Sequence, residues 1–176
     1  MIAASRFDIE RRIELPPAIV WDALVEPELV VGWLARASID LRIGGRYDLA
    51  WQRDGVRRVG PGVITELREH KLLTVDAAQH GELSFRLNEV PGGSRGTSTQ
   101  LRLSVKVGVD PLFAARVRAD WGTRLDQLED LLRGHPVDWA NWVRDHGDDW
   151  NAYLEESKPA QEQQDSAPST PRRQSR

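Results

Sequence analysis

The chain has 176 residues, 40% of them hydrophobic, and a formal net charge of −3 at neutral pH. That length and composition exclude a fibrous or wholly disordered chain and fit one domain with an appendage, while the acidity speaks against a general nucleic-acid binder, which carries a basic surplus. No run of about 18 apolar residues marks a membrane span, the first residues lack the apolar core of a secretory signal, and cysteine is absent, so disulfides, thiolate metal sites and a cysteine nucleophile drop out and a cytoplasmic location is expected.

Ser5 to Leu15 alternates Phe7, Ile9 and, after a slip, Ile13 and Leu15 with charged neighbours, which predicts a half-buried first strand. Pro16-Pro17 ends it. Val20, Trp21, Leu24 and Val25 then keep helical spacing up to Pro27, which opens a second short helix carrying Leu29, Val30, Trp33 and Leu34. From Ala37 the period changes to two. Ile39, Leu41 and Ile43 lead to Gly44-Gly45, a pair suited to a bend or bulge. Tyr47, Leu49 and Trp51 share one face of the next strand, and Asp54-Gly55 signals a hairpin. Val59–Leu67 and Lys71–Ala77 read as further strands, followed by Leu83, Phe85 and Leu87 in alternation. After a glycine-rich loop, Leu101, Leu103, Val105 and Val107 form the longest alternating run.

Pro111 to Arg133 gives the strongest helical signal. Phe113, Val117, Trp121, Leu125, Leu128 and Leu132 recur at spacings of four, four, four, three and four, which places them on one stripe, and Gly134 with Pro136 supplies the stop. Arg116, Arg118, Arg124, Asp126, Glu129 and Asp130 fall largely on the water side. A helix of this kind after a series of strands needs a sheet to lie on. Asp138 then caps a second helical stretch with Trp139, Trp142, Val143, His146, Trp150 and Tyr153 on one side. That stripe either folds back on the domain or docks into a protein partner or a second copy of the chain. The expected division is 1–134 for the domain, 135–156 for a tryptophan-rich helical extension and 157–176 for a disordered tail rich in Pro, Ser and Gln.

Four stretches in this order resemble a known family: VWDALVEPELVVGWL, IGGRYDLAW, GVITELREHKLLTV, and GTSTQLRLSV leading to ADWGTRLDQLEDLL. Together they are similar to the helix-grip (SRPBCC) superfamily of START domains, polyketide cyclases and the birch-pollen allergen. Within it they look most like the family of the activator of the heat-shock-chaperone ATPase. The match runs from about Ile9 to Gly134. The resemblance implies an α+β helix-grip fold, with a curved antiparallel sheet of about six or seven strands wrapped on the long C-terminal helix and two short helices after the first strand. It also implies a cavity between sheet and helix that takes a hydrophobic or amphipathic small molecule. At Asp120-Trp121 the chain departs from the family's glycine-tryptophan pattern, which sets a carboxylate near the cavity mouth.

Trp33, Tyr47, Trp51, Phe85, Leu103, Val117, Trp121 and Leu125 are therefore candidate ligand contacts, and equally candidates for plain core packing. Glu66, flanked by Ile64 and Leu67, is either an inward acid–base group or a solvated one, and Asp120 has the same two readings. Arg46 and Arg86 serve as anchors for an anionic head group or as exterior salt-bridge partners. His70, His80, His135 and His146 lack ligand spacing, so no metal site is expected. The loop PGGSRGT joins strands and lacks phosphate-loop spacing, and no G-x-S-x-G elbow occurs. No cofactor and no catalytic set are expected. A carrier or binding protein comes first, a cyclase- or hydrolase-like enzyme using Glu66 or Asp120 is the alternative, and a chaperone-associated interaction module is a third reading.

Overall fold

A computed structural model describes residues 4–53 and 56–158. Strand β1 (Ala4–Ile13) leads through Pro16 into helix α1 (Pro17–Val25), and Pro27 starts α2 (Pro27–Val30) at once. Proline suits both starts because a first helical residue has no intrahelical use for its N–H. Next come β2 (Arg36–Ile39), β3 (Tyr47–Arg53), β4 (Val56–Gly60), β5 (Val63–Arg68), β6 (Leu72–Asp76), β7 (Glu82–Pro91) and β8 (Thr97–Gly108). Helix α3 (Pro111–Leu132) and helix α4 (Trp142–Ser157) complete the order. The architecture is the expected α+β helix-grip arrangement. The second short helix is cut short, since Trp33 stands in the turn beyond α2.

The strands form two sheets rather than one. Five run in the order β1-β8-β7-β6-β5 and three in the order β2-β3-β4, all antiparallel. Among the described residues a bridge between Arg46 and Val63 joins them, supported by Tyr47 N–H donating to Gly62 O at 2.9 Å and Ile64 N–H to Gly45 O at 2.9 Å. The stretch read as one strand from Val59 to Leu67 breaks at Pro61-Gly62, where the chain crosses between sheets. Glycine is required at this corner for closeness. A Cβ on Gly62 would lie 2.4 Å from Tyr47 O, and one on Gly45 would lie 2.0 Å from Asp40 O. Asp54-Gly55 lies outside the described residues, though the strands flanking it pair from Leu49↔Gly60 to Arg53↔Val56.

Pairing register decides which side chains meet α3. Leu83, Phe85 and Leu87 stand opposite Val105, Leu103 and Leu101, and all six are buried. Their neighbours Glu82, Ser84 and Arg86 stand opposite Lys106, Ser104 and Arg102 on the other face. Period-two alternation thus separates a dry inner face from a polar outer one. In β1 the pairing with β8 runs unbroken from Ala4 to Ile13, so the expected slip is absent. Arg11 shares the inner side with Phe7 and Ile13 instead, and its guanidinium reaches Asp126 at 3.3 Å and Glu129 at 3.6 Å on α3.

Helix α3 is covered on two sides. Trp121, Leu125 and Leu128 are buried, Val117 and Leu132 are half-buried, and Phe113 at the start of the predicted stripe is 58% exposed. Ala119, Thr123 and Gln127 are buried as well, because α4 folds back across α3. Asp138 caps the intervening 3₁₀ turn by accepting from Ala140 N–H at 3.1 Å. The aromatic stripe of the extension then meets the same chain. Trp139 Nε1 donates to Val31 O at 2.8 Å, Trp142 Nε1 to Gln127 Oε1 at 2.7 Å, and Tyr153 OH to Asp126 Oδ2 at 2.7 Å. Asp126 was expected in water and instead ties α3 to α4. Val143, expected on the covered side, is 67% exposed.

Candidate ligand site at the mouth of the grip

The interior between sheet and α3 is filled by the residues that the sequence offers as its lining. Trp33, Tyr47, Phe85, Leu103, Trp121 and Leu125 are all buried. Phe85 sits between two indoles, with ring centroids 6.5 Å from Trp33 and 6.1 Å from Trp121, both edge-on, a favoured geometry for aromatic quadrupoles. The polar ends are also satisfied: Trp33 Nε1 donates to Ala23 O at 2.7 Å and Tyr47 OH to Leu24 O at 2.6 Å. Burial drives the Tyr47 hydroxyl well above its ordinary range, so it stays protonated as a donor. These contacts are those of a packed core.

Glu66 lies elsewhere. From Ile64 a period of two points Glu66 inward, but a bulge intervenes. Ile64 pairs with Val75, whereas Glu66 pairs with Thr74, leaving Thr65 as the extra residue. One inserted residue flips every later side chain. Glu66 is therefore exposed on the outer face, where Thr74 Oγ1 donates to its Oε2 at 2.8 Å. It cannot be an acid or base beneath the helix. Asp120 is half-buried on α3 and accepts from Trp150 Nε1 at 2.7 Å. Arg46, like Arg86, is exposed.

Trp51, Asp120 and Trp121 do come together, at the edge of the grip, with two residues that sequence reasoning passed over. His80 ends a 3₁₀ turn, Ala78–His80, and packs on Trp51 with ring centroids 4.3 Å apart. Arg124 lies over both indoles, its Cζ 4.7 Å from the Trp121 ring centroid and 5.6 Å from that of Trp51. Both distances suit attraction between a cation and an aromatic face. The turn presenting His80 carries Ala78 at φ +46°, a backbone that costs a non-glycine residue about 1 kcal/mol or more. Gly60 clears the ring's path, since a Cβ there would lie 2.9 Å from Trp51 Cζ3.

Electrostatically, this mouth holds a neutral imidazole. Burial lowers the His80 pKa, the Arg124 cation lowers it further, and Asp120 opposes them. Beside it, Trp51 Nε1 is buried without an acceptor among the described residues, although the Trp51 residue itself is half-exposed. A buried donor left unmet costs about 1–3 kcal/mol, so such an atom in a native fold needs a reason. The arrangement offers a flat apolar surface, one unmet N–H, a guanidinium and a carboxylate within one small region. No helix among the described residues is long and apolar enough to cross a membrane, and no cluster of three metal-ligating side chains occurs among them. In the sequence, His80 is one of four scattered histidines. Arg124 carries a faint signal, for it stands three residues after Trp121, within reach of that ring on a helix.

Comparison with known proteins agrees with this architecture. Residues 14–133 match the family of activator of Hsp90 ATPase homolog 1-like proteins. Among solved structures, the AHSA1-like protein from Aeromonas hydrophila is 21% identical with a TM-score of 0.62, covering 74% of this chain and 93% of its own. CalU16 from Micromonospora echinospora is 23% identical with a TM-score of 0.58, covering 86% of this chain and 89% of its own. EF2215 from Enterococcus faecalis, a conserved protein of unknown function, is 22% identical with a TM-score of 0.62, covering 87% and 84%. No curated protein matches the sequence. The chain belongs to the activator of Hsp90 ATPase homolog 1-like family within the helix-grip superfamily.

Proposed function

We propose that the protein binds a small amphipathic molecule at the mouth of the grip rather than deep beneath the helix. The flat apolar part of the ligand lies against Trp51 and His80, and a ligand oxygen or nitrogen accepts a hydrogen bond from Trp51 Nε1. Arg124 and Asp120 orient its polar end. The unmet Trp51 N–H, set among an imidazole, a guanidinium and a second indole, carries the reading. Family membership supports small-molecule binding in general, and the packed state of Trp33, Phe85 and Leu103 moves the site outward from the interior. Of the residues first offered as ligand contacts, Trp51, Asp120 and Trp121 keep that role, while Trp33, Tyr47, Phe85, Leu103 and Leu125 support the site from behind. Val117 is half-buried on α3, one turn before Trp121.

Native mass spectrometry of protein purified without denaturant tests this directly, and a co-purifying small molecule is the expected result. Titrating that molecule into apo protein should shift the Trp51 indole N–H resonance by NMR. A ligand that shifts only resonances of the α3–α4 seam would place the site elsewhere.

One observation favours a second reading. His80 is held neutral beside Asp120, the state a general base requires near neutral pH. Under that reading the enzyme uses His80, with Glu66 excluded by its place on the outer face. His80→Gln would then abolish conversion of the bound molecule while leaving its affinity nearly intact. Equal loss of both would return His80 to a binding role.

A further inference from the structure

The outer face of the five-stranded sheet carries a hollow of about 550 Å³, on the side away from α3 and separate from the mouth. Its floor is a row of short side chains running straight across the strands: Asp8, Ser104, Ser84, Thr74 and Glu66 are successive cross-strand partners. The three central residues end in hydroxyls. Thr74 Oγ1 lies 3.0 Å from Ser84 Oγ and donates to Glu66.

Longer, cationic side chains rise on both sides of that floor. Two residues along in one direction, Arg102 stands directly opposite Arg86; two residues along in the other, Lys106 stands directly opposite Arg6. Each flanking row is therefore roughly 7 Å from the hydroxyl row, within reach of an arginine or lysine side chain. Like charges placed directly opposite one another on a sheet are unfavourable, and this face has two such pairs. Arg102 is partly neutralised by Asp8 at 3.0 Å and Glu10 at 3.5 Å. Among the described residues, neither Arg86 nor Lys106 makes an ion pair or a side-chain hydrogen bond, although Glu82 is Lys106's cross-strand partner.

At the end of the floor, Asp8 Oδ1 is buried and meets no hydrogen-bond partner among the described residues. Ser104 beside it, with Arg102 and Arg6, keeps the Asp8 carboxyl below its ordinary range, so it remains an acceptor. The face thus combines free cations, a line of hydroxyls and carboxylate acceptors at both ends. A bare anion would use only the first two of these, and a neutral sugar only the last two.

We propose that this outer hollow binds a phosphorylated sugar or polyol, its phosphate held between Arg86 and Lys106 above Ser84 and Ser104, and its hydroxyls donating to the Asp8 carboxylate at the end of the floor beside Ser104. A volume of about 550 Å³ suits a ligand of that size.

The probes are ribose 5-phosphate, inorganic phosphate and ribose, each titrated into ¹⁵N-labelled full-length protein. Ribose 5-phosphate should shift the amides of 82–86 and 102–106 saturably, inorganic phosphate should bind more weakly, and ribose should leave them unmoved. The double variant Arg86→Gln, Lys106→Gln should weaken binding about tenfold or more, as loss of charged hydrogen bonds does. Its melting temperature should hold or rise, because two like-charge contacts are relieved; a structural role would lower it. Trp51→Phe should leave this binding unchanged, which separates it from the mouth. Absence of saturable shifts, or affinity unaffected by the double variant, overturns the proposal. Equal affinity for inorganic phosphate overturns the polyol assignment, and binding seen only with vesicles of anionic lipid overturns the small-molecule one.

Discussion

Where α4 crosses α3, the indole N–H groups of Trp142 and Trp150 each meet a side-chain oxygen at 2.7 Å, whereas one turn along α3 the indole of Trp51 has no acceptor among the described residues. The two regions share a helix and the same residue types. They differ in closure. The seam is sealed by side chains chosen to match: Gln127 Nε2 donates to Trp33 O at 2.7 Å and Gln127 Oε1 accepts from Trp142 Nε1, so one amide serves both sides of α3. Gly122 admits the Tyr153 ring, which would stand 3.0 Å from an added Cβ. The mouth lacks such a partner for Trp51. An extension that satisfies three tryptophans sits beside a fourth left unmet among the described residues, and that difference motivates the ligand proposed at the mouth.

The comparison breaks most severely if the packed interior is opened. Phe85→Ala removes the ring between Trp33 and Trp121, and should cost about 3–5 kcal/mol, as large-to-small core changes do. Urea unfolding measures it. The same variant should acquire affinity for indole or benzene, because a dry cavity takes an apolar guest. Wild-type protein binding such guests under α3 would show that the interior is not the filled core described above.

Gln127→Leu attacks the seam. It removes the donor to Trp33 O, in a buried setting, and the Oε1 that accepts from Trp142 Nε1, and should cost about 2–3 kcal/mol in urea unfolding. Loss should be concentrated where α4 rests, so amide exchange in Trp142–Ser157 should rise before exchange in β7 and β8. Uniform loss would mean that the seam and the grip unfold as one unit.

How far the sequence reached these regions follows from how local each signal is. The α3 stripe from Val117 onward and the β7–β8 alternation were legible because burial there depends only on period. Pro61-Gly62 was a readable break within the supposed long strand, and the corner between sheets lies there. Glu66 stays open between an inward and a solvated position in the sequence because a bulge obeys the pairing of a partner strand, which a single strand's pattern does not contain. Arg11 looked like a slip for a related reason. Its charge breaks an apolar alternation that the geometry keeps, and the acids that receive it lie on α3, more than a hundred residues away. His80 was invisible as a site residue since a turn and a strand bring it to Trp51 only in three dimensions.

The pH response sharpens the comparison further. His80 has a folded pKa below its ordinary 6.5, so the folded state binds fewer protons than the unfolded chain between the two values. Its contribution to stability is complete above 6.5 and is lost as pH falls toward the lower folded value. Tyr153, in the seam, behaves oppositely. Burial first, and then Asp126, raise its pKa to about 12, so its contribution holds below 10 and fades as pH rises toward 12. His80→Gln should flatten the slope of unfolding free energy between pH 7 and pH 5 while leaving the alkaline limb unchanged. A slope preserved in that variant would assign it to other groups.

The smallest expected change in stability is the most informative. Trp51→Phe keeps an aromatic face for His80 and Arg124 and removes only the unmet N–H and part of the ring. Trp150→Phe, by contrast, removes an N–H that Asp120 accepts. The two losses of area are alike, so their difference isolates the hydrogen bond. Trp150→Phe should be destabilising by about 1 kcal/mol more than Trp51→Phe, the ordinary net value of such a bond, and Trp51→Phe should lie near zero or slightly stabilise. Ligand binding should divide the other way, falling in Trp51→Phe and persisting in Trp150→Phe. If Trp51→Phe destabilises as much as Trp150→Phe, then the Trp51 N–H already has a partner in solution, and the mouth is a seam like the other.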